Sequence, residues 1–167
     1  MAKNIYLIGF MGSGKSTVGK LLAETLSMDF YDIDEFIVEN TKMTIPEIFE
    51  KAGEKWFREQ EAFALDCLSS SENRVIATGG GIVETPANIE KLKSLDNVFF
   101  LNASSERLWQ RVGKDSNRPL SKNISDFVKL YQKRKPLYKE VSNFTIETDT
   151  LIAKEVANQI ISIFQEH

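Results

Sequence analysis

Short apolar runs alternate along the chain with longer segments in which apolar residues recur at helical spacing. The apolar runs lie at 5–8, 30–31, 74–77, 98–101 and 144–146. Runs of this kind are typical of strands buried in a parallel sheet. Between the runs, the spacing predicts helices at 16–26, 34–41, 45–52, 54–70, 86–94, 104–111 and 124–139, and a closing helix with Ile152, Val156 and Ile160 on one face. Strands that alternate with helices predict an α/β fold, in which a five-stranded parallel sheet is flanked by helices on both sides.

Length and composition favour one globular domain over residues 1–167, because 167 residues suffice for a single hydrophobic core. The net charge of -3 argues against a nucleic-acid or anionic-membrane surface. The first residues carry no signal-peptide core, and no apolar run is long enough to span a bilayer. We therefore expect a cytoplasmic monomer without nucleic-acid or membrane partners. The single cysteine and the single, C-terminal histidine leave no base for a Ser-His-Asp or Cys-His mechanism.

The phosphate-binding motif G-x-x-x-x-G-K-[ST] is complete at residues 9–16 and lies between a predicted strand and a predicted helix. Its glycines allow backbone N–H groups to point at phosphates, and the following helix adds the positive end of its dipole. Lys15 is placed to reach the β- and γ-phosphates, and the Ser16 hydroxyl to bind Mg²⁺. The motif predicts nucleotide binding but leaves the reaction open, because ATPases, GTPases and kinases share it.

The rest of the sequence favours a kinase for a small acceptor. No N-K-x-D signature of a guanine-specific protein is present, and the third strand ends in Thr78 and three glycines where a motor ATPase would carry an acid. The acidic pair Asp32 and Asp34 instead follows the second strand. In an extended stretch both carboxylates would face the same way, one for Mg²⁺ and one for the acceptor hydroxyl. The alternative is that either residue only caps the next helix.

Three further features point to the acceptor. Arg58 could clamp a carboxylate with two parallel hydrogen bonds, or form an ordinary surface pair with Glu61, and the two interpretations are compatible. Residues 79–81 are three adjacent glycines after a strand, so we expect a backbone amide donor there, with Gly80 as the first choice. Arg134 is a second candidate clamp, although its spacing alone says little.

Residues 112–123 are polar and rich in charge, which is typical of a mobile lid. Arg118 lies in this segment beside a proline. From there it could reach the phosphates and stabilise the charge that develops during transfer. A plain solvated loop is the alternative.

Together these motifs resemble the shikimate kinase family over nearly the whole chain. The resemblance rests on the segments 9–17, 32–34, 57–61, 78–81 and 118–120 and on Arg134 ahead of Pro136, Leu137 and Tyr138. It implies a P-loop fold like that of nucleoside monophosphate kinases, with a helical substrate-binding region at about 33–62 and a lid at about 112–123. It also implies transfer of the γ-phosphoryl group of ATP to the 3-hydroxyl of shikimate, in the pathway to aromatic amino acids.

The resemblance also implies roles for individual residues. It implies ATP contacts from Gly12, Ser13, Gly14, Lys15, Ser16, Thr17, Arg111 and Arg118. It implies shikimate contacts from Asp34, Arg58, Gly80, Gly81 and Arg134, and Mg²⁺ placement by Ser16 and Asp32. The catalytic residues would then be Lys15, Asp34 and Arg118.

One departure from the family concerns the nucleotide base. Family members often carry a longer, basic, proline-containing loop before the last helix, whereas here residues 147–150 run directly into Leu151. Which residues contact the adenine ring is therefore left open, and the preference for ATP over other nucleotides could be relaxed. Two other functions also stay open: a gluconate-type or nucleoside monophosphate kinase, and a nucleotide-binding regulatory module without an acceptor.

Overall fold

The computed structural model describes residues 3–112 and 123–167. Its strands are β1 (Ile5–Ile8), β2 (Asp29–Asp32), β3 (Arg74–Ala77), β4 (Val98–Asn102) and β5 (Phe144–Glu147). Its α-helices are α1 (Lys15–Leu26), α2 (Ile33–Thr41), α3 (Ile45–Lys51), α4 (Glu54–Ser69), α5 (Pro86–Lys93), α6 (Ser105–Val112), α7 (Ile124–Val141) and α8 (Ala153–Glu166), with a short 3-10 helix at Ile82–Glu84. The predicted strands and helices are confirmed, with ends that differ by one or two residues.

The five strands form one sheet in the order β2-β3-β1-β4-β5, and every pair of neighbours is parallel. All five carboxyl ends therefore lie along the same edge. Strands β2 and β3 lie on one side of β1, and β4 and β5, which follow later in the chain, lie on the other side. Ligands of open parallel sheets bind at the carboxyl ends beside such a reversal.

Helices cover both faces of the sheet, as predicted. Side chains alternate along β1, so that Ile5 and Leu7 pack with residues of α1 and α8, among them Leu22 and Ile160. Tyr6 and Ile8 face the opposite way, into the larger core formed with the remaining helices. The two-sided burial explains why β1 is apolar at every position.

The segment after β2 is not extended, so one step of the sequence argument is wrong. Asp32 is the N-cap of α2, because its Oδ1 accepts the N–H of Glu35 at 3.2 Å. This hydrogen bond starts the helix at Ile33, and Asp34 lies in the first helical turn. Asp32 therefore reaches this region from the end of β2, and Asp34 reaches it from the first turn of α2.

The predicted apolar face of the closing helix also needs a correction. Val156 and Ile160 are buried, but Ile152 is the N-cap of α8, with extended backbone, and 65% of it is exposed. Because the helix begins only at Ala153, its spacing does not extend to Ile152. None of the helices in the described ranges has both the length and the apolar character that a membrane crossing requires.

The predicted lid falls mainly outside the described residues. Val112 at its start is the buried last residue of α6. Asn123 at its end caps α7, since its Oδ1 accepts the N–H of Asp126 at 2.9 Å. Residues 113–122, and with them Arg118, are not among the described residues.

Candidate active site

The phosphate-binding loop connects β1 to α1 and takes a shape that requires glycine. Gly12 and Gly14 have φ values of 83° and 93°, which side-chain-bearing residues rarely adopt. A Cβ on Gly12 would also lie 2.8 Å from Cγ2 of Val112. The loop is therefore shaped by its own glycines and by the packing of α6 behind it.

Lys15 lies across this loop. Its side chain is nearly buried, and its Nζ donates to the carbonyl oxygens of Gly9 at 2.7 Å and Phe10 at 3.0 Å, and to Oγ of Ser13 at 3.3 Å. A buried ammonium group requires such partners. The loop itself thus holds the ammonium group of Lys15 in place.

Ser16 and Asp32 form a hydroxyl–carboxylate pair at the mouth of the loop. Oγ of Ser16 donates to Oδ2 of Asp32 at 2.7 Å, while the other Asp32 oxygen caps α2. The interpretation of Asp32 as a helix cap is confirmed, and its part in placing a metal stays a prediction. Within residues 3–112 and 123–167, no group of three or more His, Cys, Asp or Glu side chains is arranged for a metal. Mg²⁺ bound together with a nucleotide takes only one or two protein carboxylates, so this pair fits Mg²⁺.

A cavity of about 460 Å³ joins the loop to the end of β3. Most of the sequence-predicted residues line it: Gly12, Gly14, Lys15, Ser16, Thr17, Asp32, Asp34, Gly80 and Arg111. Gly79 of the predicted glycine triplet lines it as well, and so do Glu35 and Thr78, for which the sequence predicted no individual role. Ser13, Arg58, Gly81 and Arg134 lie outside this lining.

Charged side chains occupy the space that side chains at Gly79 and Gly81 of the glycine triplet 79–81 would need. A Cβ on Gly79 would lie 2.9 Å from Oδ1 of Asp34 and 3.1 Å from Oε2 of Glu61. A Cβ on Gly81 would lie 2.6 Å from Cζ of Arg58, within the guanidinium group. Positions 79 and 81 therefore require glycine, because two carboxylates pack on Gly79 and a guanidinium group packs on Gly81.

Arg58 forms a buried ion pair with Glu61, so of the two interpretations the ordinary surface pair is wrong. Nη1 of Arg58 donates to Oε1 of Glu61 at 2.7 Å, and Nη2 donates to Oε1 of Glu54 at 3.2 Å. Side-chain exposure is 11% for Arg58 and 1% for Glu61. Burial, with a smaller contribution from the charge of Asp34, raises the pKa of Glu61 to about 7 against the opposing effect of Arg58. The pair positions a guanidinium group over Gly81.

Arg134 approaches the same triplet from α7. It is buried, its Nε donates to Oε1 of Glu84 at 2.8 Å, and its Nη1 lies 3.7 Å from the position of a Cβ on Gly80. Tyr138, four residues further along α7, donates its hydroxyl to the Gly80 carbonyl oxygen. Burial favours a higher pKa for Glu84, but the hydrogen bond and charge of Arg134 hold it below the ordinary value. A second guanidinium group is thus fixed beside the glycines.

Sequence reasoning missed Glu54 and Glu84, the additional partners of the two arginines. Glu54 could have been found, because it lies four residues before Arg58 on the same helix. Glu84 carries no such signal, since 50 residues separate it from Arg134.

A second cavity of about 370 Å³ lies on the other side of the phosphate-binding loop, between α1 and the start of α8. Ser13 borders this cavity, and Arg111 borders both cavities. Nη1 of Arg111 donates to the Gly12 carbonyl oxygen at 3.0 Å. The sequence-predicted Arg111 is thus attached to the loop at the junction of the two spaces.

The phosphate-binding loop lies at the carboxyl edge of a parallel sheet, and one cavity joins it to a glycine triplet that carries buried guanidinium groups. This combination defines a P-loop small-molecule kinase. The sequence profile of shikimate kinase matches residues 11–165. The chain belongs to the shikimate kinase family.

Similar proteins agree with this assignment. The shikimate kinase of Caldicellulosiruptor saccharolyticus is 46% identical over 164 residues, which cover 96% of this chain and 95% of the relative. The solved structure of shikimate kinase from Acinetobacter baumannii in complex with shikimate has a TM-score of 0.95 at 41% identity and covers 99% of this chain and 94% of that one. Deoxyadenosine kinase from M. mycoides with bound dATP, at 16% identity, 97% and 99% coverage and a TM-score of 0.68, shares the fold.

Proposed function

We propose that this protein transfers the γ-phosphoryl group of ATP to the 3-hydroxyl of shikimate, which yields shikimate 3-phosphate and ADP for aromatic amino-acid synthesis. Its family membership supports this reaction. The observation that carries it is the placement of Arg58 and Arg134 against the glycine triplet, which shares a cavity with Lys15. Two guanidinium groups beside a phosphate-binding loop suit an acceptor that carries a carboxylate.

Residues 12–17 bind the triphosphate. Lys15 exchanges its carbonyl partners for oxygens of the β- and γ-phosphates, and Arg118 adds a contact to ATP. When held by Ser16 and Asp32, Mg²⁺ supplies positive charge to the phosphate oxygens. Arg111, at the junction of the two cavities, packs on the base.

Shikimate binds with its carboxylate toward Arg58 and Arg134 and against the backbone of Gly80 and Gly81. Asp34 accepts a hydrogen bond from the 3-hydroxyl and aligns its oxygen with the γ-phosphorus. Phosphoryl transfer has a loose transition state, so orientation of the hydroxyl contributes more than early removal of its proton. A neutral sugar could not form the charge-assisted hydrogen bonds that a carboxylate forms with these guanidinium groups, so it would bind poorly.

We further propose a cytoplasmic monomer that acts without nucleic acid or membrane, because its reaction consumes ATP and its net charge is -3. The chain would act as one domain, with an acceptor-binding helical region at about 33–62 and a lid at about 112–123.

A coupled assay of ADP release tests the proposal. With Mg²⁺ and ATP present, we expect rapid release with shikimate and far slower release with quinate or gluconate. Brisk turnover of gluconate without turnover of shikimate would show that the acceptor is wrong. Absence of ATP binding would overturn the whole assignment.

A further inference from the structure

Glu61 is a fully buried carboxyl group beside the glycine triplet, but only one of its oxygens has a partner. Oε1 accepts the hydrogen bond from Nη1 of Arg58 at 2.7 Å. Oε2 is also buried, and no group of residues 3–112 and 123–167 forms a hydrogen bond with it. A negatively charged oxygen in this position is costly, whereas a proton on Oε2 removes the charge.

Asp34 increases this cost, because its carboxylate faces the same space. A Cβ on Gly79 would lie 2.9 Å from Oδ1 of Asp34 and 3.1 Å from Oε2 of Glu61. Burial first, and then the charge of Asp34, raises the pKa of Glu61 to about 7, against the opposing charges of the two arginines of the site. At pH 7 the protonated and ionised forms of Glu61 are therefore present in about equal amounts.

The acceptor would bring one more negative charge into a group of side chains in which carboxylates already outnumber guanidinium groups. Arg58 pairs with Glu61 and, at 3.2 Å, with Glu54 on the same helix. Arg134 pairs with Glu84 at 2.8 Å. A carboxylate that binds to both arginines must therefore share them with carboxylates that are already bound to them. Its charge favours the protonated form of an ionisable carboxyl group nearby.

Of the three carboxyl groups paired with the arginines, Glu61 responds most to this added charge. The Glu54 side chain is 57% exposed, so water and salt screen its charge. Burial alone would raise the pKa of Glu84, but the hydrogen bond and the charge of Arg134 hold it below its ordinary value, so Glu84 stays ionised at neutral pH. Glu61 has no such screening, and both of its protonation states are already populated.

We propose that binding of the acceptor carboxylate at Arg58 is coupled to the uptake of a proton by Oε2 of Glu61. The inference rests on the proposed function, which supplies an acceptor with a carboxylate. The proton comes from solvent or from a buffer acid and forms an O–H bond at Oε2. Oε1 keeps its hydrogen bond from Arg58, and no other covalent bond forms or breaks.

This coupling makes acceptor affinity depend on pH. Below pH 7 Glu61 already carries the proton in most molecules, so the acceptor binds without this step. Above pH 7 binding must also draw the proton from solution, which becomes harder as the pH rises. We expect the dissociation constant of shikimate to increase by about tenfold from about pH 6 to about pH 9, a modest effect for a like charge in a buried site.

Calorimetric titration of shikimate at pH 7, in buffers of different ionisation enthalpy, counts the protons taken up. We expect about 0.2 to 0.5 proton per shikimate bound, since about half of the molecules already carry the proton. Absence of uptake in the wild type overturns the inference.

Glu61→Gln separates the proton from the hydrogen bond. The amide keeps an oxygen that accepts from Arg58 but cannot take up the proton, so uptake should disappear and shikimate affinity should stay constant over this pH range. Glu59→Gln, at an exposed position of the same helix, is the matched control and should behave as the wild type. Proton uptake that persists in Glu61→Gln contradicts the proposal.

Difference infrared spectroscopy of the wild type tests the proposal even where Glu61→Gln fails to fold. Binding of shikimate at pH 7 should increase the absorption of protonated carboxyl groups. Labelling of glutamate carboxyl groups with ¹³C should shift this absorption, because a glutamate carries the new proton. No increase, or an increase that does not shift with the label, would show that Glu61 does not take up the proton.

The inference and the proposed function can fail separately. Turnover of shikimate with ATP but without proton uptake on binding overturns the coupling and leaves the proposed function intact. A protein that neither binds nor phosphorylates shikimate removes both.

Discussion

The two halves of the site are built in different ways. The phosphate-binding half is a single stretch, residues 9–17, whose glycine backbone and one lysine are held by local hydrogen bonds. The half that we propose to bind the acceptor, called the acceptor half below, is assembled from side chains of α2, α4 and α7 around the triplet 79–81. Its arginines are held by Glu61 and Glu84. The first half depends on backbone conformation, whereas the second depends on buried ion pairs.

This difference predicts how each half responds to change. A local backbone site tolerates distant mutations but fails when its motif changes. A site made of buried ion pairs responds to protonation and to the removal of either partner, because the remaining charge is left without compensation. The predictions below separate the two halves, in order of decreasing effect.

Lys15→Ala should disable the phosphate-binding half alone. We expect kcat to fall by about 10³-fold, because the charge that develops on the phosphoryl oxygens loses a positioned cation. Shikimate affinity, measured by calorimetry without nucleotide, should stay unchanged. Lys20→Ala on the exposed side of α1 is the control. Near-normal turnover in Lys15→Ala would remove Lys15 from the mechanism.

The acceptor half should make stability depend on pH. The pKa of Glu61 is raised from 4.5 to about 7, so between these values the folded protein keeps a proton that the unfolded chain has lost. The free energy of unfolding should therefore fall as pH rises from 4.5 to 7, by up to about 3 kcal/mol from this group.

Urea unfolding at a series of pH values measures this dependence. Glu61→Gln should flatten the profile in that window, whereas Glu59→Gln, at an exposed position of the same helix, should keep it. Equal profiles for the wild type and Glu61→Gln would show that Glu61 does not take up this proton.

Asp34→Asn should lower kcat while both substrates still bind. We expect kcat to fall by about 10²-fold, because the amide keeps the shape but loses the charge that orients the hydroxyl. The KM for ATP should change less than about twofold, since a contact made in the transition state does not affect ground-state binding. Glu39→Gln on exposed α2 surface is the control. A defect confined to ATP binding would contradict this role.

Gly81→Ala should weaken only the acceptor half. Its Cβ would overlap the Arg58 guanidinium, so Arg58 must shift away from Gly81. We expect the KM for shikimate to rise about tenfold, as for a weakened charged hydrogen bond, with the KM for ATP unchanged. In an Arg58→Ala background the same substitution should add little. Additive effects would mean that the two residues act independently.

The sequence predicted the parts of this molecule that depend on neighbouring residues. The apolar runs predicted all five strands, and the motif at 9–16 predicted the loop because both are local patterns. The pairing of Arg134 with Glu84 and the burial of Glu61 depend on the order of strands in the sheet, which spacing along the chain does not encode. The exposure of Ile152 was missed because the apolar spacing of the sequence includes Ile152, whereas the helix itself begins at Ala153.

Helix α7 contacts both halves. Phe127 packs edge-on against Phe10 of the phosphate-binding loop, with ring centres 4.9 Å apart, and the tilted ring of Tyr131 lies 5.0 Å from it. Arg134 and Tyr138 follow on the same helix beside the triplet. A substitution on this surface that suits a new acid would also disturb the loop that all kinases of this class need. Engineering of acceptor preference should therefore begin on α4, whose Arg58 and Glu61 do not line the cavity that holds the phosphate-binding loop.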